Sequence, residues 1–158
     1  MKRWKSSEKR SMTRKPLRVI FDTNVWISFL IGKRLAIIKD FIVDGRIRII
    51  TTEQLLTEIR TVTHRKKLKK YFPQKSVFDL IDLLEIIAEK VDITPTHFLS
   101  RDPKDDFLFD LIDSSDAEFL VTGDKDLLEH HSFRSAKIVS PAAFERHLKS
   151  YEYWNDFV

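Results

Sequence analysis

Leu17-Arg18-Val19-Ile20-Phe21-Asp22-Thr23-Asn24-Val25 is the stretch on which the fold turns. Its first five residues are apolar apart from Arg18, and they run straight into an acid and two turn-forming polar residues. That is the pattern of a buried strand ending at a carboxylate. Working outward, Ala36, Ile37, Ile38, Phe41 and Ile42 recur at helical spacing up to Gly45, a C-terminal stop. Arg46 to Ile50 alternates polar and apolar, which predicts a second strand. Thr51 and Gln54 form a capping-box pattern ahead of Leu55, Leu56, Ile59 and Val62, which share one helical face with Glu58 on its flank. A longer helix is expected over about 75–90, with Val77, Leu80, Ile81, Leu84 and Ile87 inward. A strand at Val91–Ile93 follows, and Pro95 closes the unit.

From Asp102 the alternation repeats: a helix near 105–115, a strand at Glu118–Thr122, a short helix at 125–130 and a strand at Lys137–Val139. Ser140 and Pro141 read as N-cap and first residue of a last helix, Ala142–Lys149. Strands alternating with helices predict an α/β fold, a three-layer sandwich whose central, mostly parallel sheet carries helices on both faces. The expected divisions are a basic N-terminal arm at 1–16, one domain at 17–149 and an aromatic tail at 150–158 that docks on the body or on a second copy.

Composition narrows the chemistry. With 158 residues, 42% hydrophobic and 33% charged, the chain has material for one core and a charged surface. It has no cysteine, so disulfides, thiolate nucleophiles and zinc knuckles are excluded, and any metal must be held by oxygen or imidazole. Its three glycines, Gly32, Gly45 and Gly123, allow neither a P-loop nor a G-x-G-x-x-G turn. No run approaches the roughly 20 apolar residues that span a bilayer, and no signal-peptide core is present, so the reading is cytoplasmic and away from membranes.

The net charge of +4 is concentrated rather than spread. Residues 1–16 hold seven basic side chains and one acid, Glu8. A second block contains Arg60, Arg65, Lys66, Lys67, Lys69, Lys70 and Lys75 without an intervening acid. Each block reads either as solvated surface or as a contact for a phosphate backbone.

In an open parallel sheet, functional groups gather beyond the carboxyl ends of the strands. Here those exits are Asp22-Thr23-Asn24, then Arg101-Asp102-Pro103-Lys104-Asp105-Asp106, then Thr122-Gly123-Asp124-Lys125-Asp126. Any one would serve as a turn or a helix cap. Three on one edge are a different matter, because two carboxylates about 4 Å apart repel by about 4 kcal/mol at an effective dielectric of 20. Such a cluster calls for a cation, and an all-oxygen donor set suits Mg²⁺ or Mn²⁺.

These three motifs, extended to Phe21-Asp22-Thr23-Asn24-Val25 and Val121-Thr122-Gly123-Asp124-Lys125-Asp126-Leu127-Leu128, resemble in order those of the PIN domain. The similarity covers about 17–149 and is closest to the toxins of bacterial toxin–antitoxin pairs. The resemblance implies a metal-dependent ribonuclease that hydrolyses RNA phosphodiester bonds, with RNA as substrate and a cognate antitoxin protein or a second copy as partner. It assigns Asp22, Glu58, Asp105 and Asp124 as the four family acids, with Mg²⁺ or Mn²⁺ held by Asp22, Asp105 and Asp124, as one ion or two. Glu58 is then a ligand, an outer acceptor or the acceptor of the water's proton. Thr23, Asn24 and Thr122 either orient the carboxylates or serve as turn residues; Asp106 and Asp126 take outer positions. Arg65, Lys66, Lys67, Lys69 and Lys70 are the candidate RNA contacts. The chain departs from the family in carrying Asp110 and Asp113 where small residues are common, and Asp116 where a glycine is.

Between the two acids, helical rotation of about 100° per residue places Asp105 on the flank of the stripe Leu108, Leu111, Ile112 and Ser115, and Asp106 with Asp110 and Asp113 on the far side; Asp105 is therefore the expected ligand. His64, His97, His130, His131 and His147 show no metal-binding spacing. Trp26 is either a core residue or a base-stacking one. A phosphatase of the haloacid-dehalogenase type needs a second acid where Asn24 stands, and a receiver domain needs an acidic pair after the first strand. The alternative from another class is a catalytically silent PIN-like module that binds nucleic acid or regulates. If the N-terminal arm meets phosphates, deleting residues 1–15 will flatten the salt dependence of RNA binding by about 0.7 log unit for each phosphate no longer neutralised and leave the cleavage pattern unchanged; filter binding at several salt concentrations gives the slope.

Overall fold

The computed structural model describes residues 15–32, 40–65, 69–98 and 103–157, the last seven by backbone alone. The arm through residue 14, the expected helical residues 36–39, Lys66, Lys67, Arg101 and Asp102 lie outside the described residues.

The chain runs β1 (Leu17–Phe21), α1 (Thr23–Gly32), β2 (Ile47–Thr51), α2 (Glu53–Thr63), α3 (Gln74–Ile87), β3 (Glu89–Lys90), α4 (Asp106–Ser115), β4 (Phe119–Val121), α5 (Lys125–Leu128), β5 (Ser132–Phe133), β6 (Ala136–Val139) and α6 (Pro141–Phe157). A helical turn at 40–43 precedes β2, and short 3₁₀ turns sit at Lys69–Tyr71 and Pro103–Asp105.

The six strands form one sheet in the order β3-β2-β1-β4-β6-β5, parallel except for β5 against β6. The register sets Val19 against both Ile49 and Phe119, so β1 lies between two parallel neighbours. Successive residues of β1 point to opposite faces. Val19 and Phe21 pack with Ile49, Val121 and the apolar sides of α1, α2, α3 and α6. Ile20 packs on the other face with Ile50, Leu120, Ile138 and α4. This is the expected three-layer α/β sandwich.

Three local expectations are corrected. The third strand is Glu89–Lys90, not Val91–Ile93. Ala88 turns extended (ψ 148°) and ends α3 early, and ion pairs of Glu89 with Arg18 and Arg48, and of Lys90 with Glu53 and Glu85, hold the charged dipeptide at the sheet edge. The Val91 N–H continues the ladder to Thr51 O at 2.8 Å, while Val91 and Ile93 pack their side chains against the α4 layer. The cap of α2 is Thr52 rather than Thr51, with no side-chain capping bond, because Thr51 is still in β2. The last helix does not stop at Lys149 but runs on to Phe157. The antiparallel β5 has no counterpart among the expected elements.

α4 ends at Asp116, whose backbone is left-handed (φ 54°) and whose N–H bonds to Ile112 O. An L residue there is strained, and a negative charge at a helix C-terminus opposes the dipole. Asp116→Gly should therefore raise unfolding free energy by about 0.5–1 kcal/mol after the extra flexibility of unfolded glycine is subtracted; urea titration is the measurement.

Candidate active site

The strand order reverses direction across β1: the chain goes from β1 to β2 on one side and returns to β4 on the other. The crevice beyond the carboxyl ends of β1 and β4 is the switch point where ligands bind in open parallel sheets. Asp22 is placed there by its own backbone. Its N–H extends the ladder to Val121 O at 2.9 Å, and its carbonyl accepts from Val25 and Trp26 to start α1.

The side chain of Asp22 is thereby driven inward, to 5% exposure. A buried carboxylate is costly unless its oxygens are hydrogen-bonded, and here both are. One oxygen accepts the Thr23 N–H at 2.7 Å, and the other accepts the Thr122 hydroxyl at 2.8 Å. Thr122, fully buried, in turn accepts the Asp124 N–H at 3.1 Å. Asp124 caps α5 by accepting the Asp126 N–H at 2.9 Å. On the opposite side the Thr23 hydroxyl donates to Glu58 at 2.9 Å. A continuous chain of hydrogen bonds thus runs from Glu58 through Thr23, Asp22 and Thr122 to Asp124 and Asp126, joining α2, β1, β4 and α5.

The electrostatics of this edge are unfavourable for a full set of charges. Burial pushes the Asp22 carboxyl above its ordinary pKa; the bonds from Thr122 and Thr23 oppose that, and the neighbouring charge of Asp124 adds to it. The donors are hard carboxylate and hydroxyl oxygens, which fits Mg²⁺ or Mn²⁺ by chemistry. Among the described residues, however, no three His, Asp or Glu side chains form a group that could hold an ion.

The remaining acidic segment, of which 103–106 are described, opens α4. Asp105 is half-buried at the N-cap position of α4, without a side-chain capping bond, and Asp106 is buried in the first turn. The inner stripe Leu108, Leu111, Ile112 and Ser115 is buried as expected, but the far side is not open. Asp110 is buried too, its carboxylate accepting N–H groups of Thr96 and His97 at 3.1 and 2.9 Å, and Asp113 meets the His97 ring at 3.0 Å. The segment 91–98 therefore covers that face. Asp110, expected on the far side of the helix, is held there by backbone N–H groups of a segment that no expected element placed against it.

Asn24 is exposed, and its carbonyl accepts the Ser28 hydroxyl. Trp26 is a core residue, 1% exposed, with edge-on contacts to Phe21 and Phe29, which excludes base stacking by its ring. Four of the histidines have protein partners: His64 with the Arg60 carbonyl, His97 with Asp113, His130 edge-on to Phe109 and His147 against Phe119. Arg65, Lys69 and Lys70 are exposed past the end of α2. No helix among the described residues is long and apolar enough to cross a membrane.

A protein-family profile described as "PIN domain" matches residues 18–126, about two thirds of the chain and including Asp22, Glu58, Asp105 and Asp124. A comparison with curated proteins finds no match.

The raised Asp22 pKa has a consequence for stability. A carboxyl whose folded pKa is raised holds its proton more tightly in the folded chain, so the fold loses stability as pH climbs from 3.8 through the folded value. Asn does not titrate. In chelator, Asp22→Asn should melt higher than the wild type at neutral pH, with the gap closing by about pH 3; paired thermal melts across pH measure it.

Proposed function

The chain belongs to the PIN-domain family, whose members are generally nucleases, and on that premise we propose that it is a divalent-metal-dependent endoribonuclease, the toxin of a toxin–antitoxin pair. The observation that carries the reading is the hydrogen-bonded chain linking Glu58, Asp22 and Asp124 at the strand switch point. It joins acids from three separate parts of the sequence along one edge.

Asp22, Asp105 and Asp124 are the residues to hold Mg²⁺ or Mn²⁺, which when bound acidifies a water and draws charge from a phosphoryl oxygen. The protein's own groups have separable roles. Thr122 and Thr23 keep the Asp22 carboxylate oriented as an acceptor, and orientation of this kind is what supporting residues supply to ligands. Glu58, half-exposed and bonded by the Thr23 hydroxyl, is the residue to accept a proton from an attacking water. Asp106 and Asp126 add negative charge at the first turns of α4 and α5, where the helix dipoles favour it. Asn24 lies at the exposed rim of α1. RNA is the substrate, a cognate antitoxin is the protein partner, and the working compartment is the cytoplasm.

The lack of a three-carboxylate group among the described residues favours one alternative, a silent PIN-like module that binds nucleic acid without turnover. Incubating the protein with pooled cellular RNA and Mg²⁺ or Mn²⁺, then sequencing new ends, separates the two. Asp22→Asn and Asp124→Asn should each lower cleavage by at least about 100-fold, and Asp105→Asn should abolish it while Asp106→Asn keeps a substantial fraction. Cleavage that persists in both strand-exit variants and in excess chelator would rule out the assignment; a reversed ranking of Asp105 and Asp106 would move the ligand to Asp106.

A further inference from the structure

The connection between α2 and α3 presents an aromatic ring in an unusual setting. The Lys69 N–H bonds back to Arg65 O at 2.9 Å, and the Phe72 N–H to Lys69 O at 3.3 Å, which winds Lys69–Tyr71 into a 3₁₀ turn. Phe72 plunges into the core with Val77 and Leu80 of α3, so the turn is anchored from below. Tyr71, the residue before that anchor, faces outward at 57% exposure, and the Lys70 ammonium lies 5.0 Å from its ring centroid. Phe78, early in α3, is 59% exposed.

The basic side chains next to the ring carry little neutralising partner chemistry among the described residues. No acid occurs between Arg60 and Asp79. Among the described residues Arg60 pairs with Glu53 and Glu85, whereas Arg65, Lys69, Lys70 and Lys75 enter no ion pair. A fixed aromatic plate in a one-signed positive field matches what a single nucleic-acid strand offers: an open base face with phosphates on either side. A duplex offers the phosphates but keeps its base faces stacked inside.

We propose that Tyr71 stacks a base of single-stranded RNA while Lys69 and Lys70 contact the phosphates that flank it. The inference rests on the ribonuclease reading and gives that site a second point of attachment. Glu58 lies about 7.5 Å along α2 from the helix's last residue at 1.5 Å per residue, and the turn follows that end. A strand held at Tyr71 would share α2 with the site, since Glu58 lies on the helix that precedes the turn. The platform selects for unpaired RNA, independently of the residues that cut it.

The test is fluorescence anisotropy of the full chain in chelator, with a 12-nucleotide RNA and a duplex of that RNA as probes, at several salt concentrations. Tyr71→Ala should weaken single-strand binding about 10-fold with an unchanged salt slope and leave duplex binding as it was; Tyr71→Phe, which keeps the ring, should stay within about twofold. Lys69→Ala and Lys70→Ala should each flatten the slope by about 0.7. The exposed side chains leave the fold alone, which thermal melts verify. Wild-type affinity in Tyr71→Ala, an equal loss on duplex, or an equal loss in Tyr71→Phe would overturn the platform while metal-dependent cleavage leaves the nuclease reading intact. A wild type that neither binds nor cleaves RNA would overturn both.

Discussion

The hydroxyl of Thr122 donating to the carboxylate of Asp22, across 100 residues of sequence, is the bond on which the rest of the edge depends. It exists because β1 and β4 are parallel neighbours in register, Phe21 beside Val121, so that the residues following each strand emerge side by side. Without such partners a buried carboxylate would be penalised by several kcal/mol. With them, Asp22 is kept in the fold even though burial holds its pKa above the ordinary carboxyl value. Threonine suits this position because its hydroxyl can donate to one acid and accept from the backbone of the next, as Thr122 does between Asp22 and Asp124.

Most of the layered architecture was legible because it depends on periodicity. β1 reads as a buried strand because it is covered on both faces, and α2 and α3 read as helices because each buries one stripe and wets the other. Elements whose residues do not alternate escaped. β3 is two charged residues whose place in the sheet comes from ion pairs with Arg18, Arg48, Glu53 and Glu85, most of them far away in sequence. β5 is made by a tight turn in which His131 and Arg134 adopt left-handed backbone, and neither is a residue type that announces it. In α4 the apolar stripe was visible, but the opposite face was also buried, by a segment whose cover is polar: Asp110 holding the backbone of Thr96 and His97.

Asp22 and Asp124 were legible as strand exits, since turn chemistry and strand endings are local. Their connections were not. Nothing in the sequence distinguishes a threonine that caps a turn from one that bridges two carboxylates, because that depends on which strands end up adjacent. The same limit explains Trp26, whose burial follows from Phe21 and Phe29 closing around it. It also explains why Tyr71 stands out only in three dimensions, after its neighbour Phe72 has gone inward.

The brevity of β3 and β5 matters beyond the fold of one molecule. A sheet grows by recruiting another strand along an unpaired edge, and long flat edges invite that growth. Here both borders are two-residue strands: one carries a glutamate and a lysine already engaged by neighbouring side chains, and the other lies beside Arg134. Neither offers a run of free backbone for a newcomer to copy. Growth of the sheet by strand exchange or fibre-like stacking is thereby disfavoured, because each border leaves so little backbone to extend.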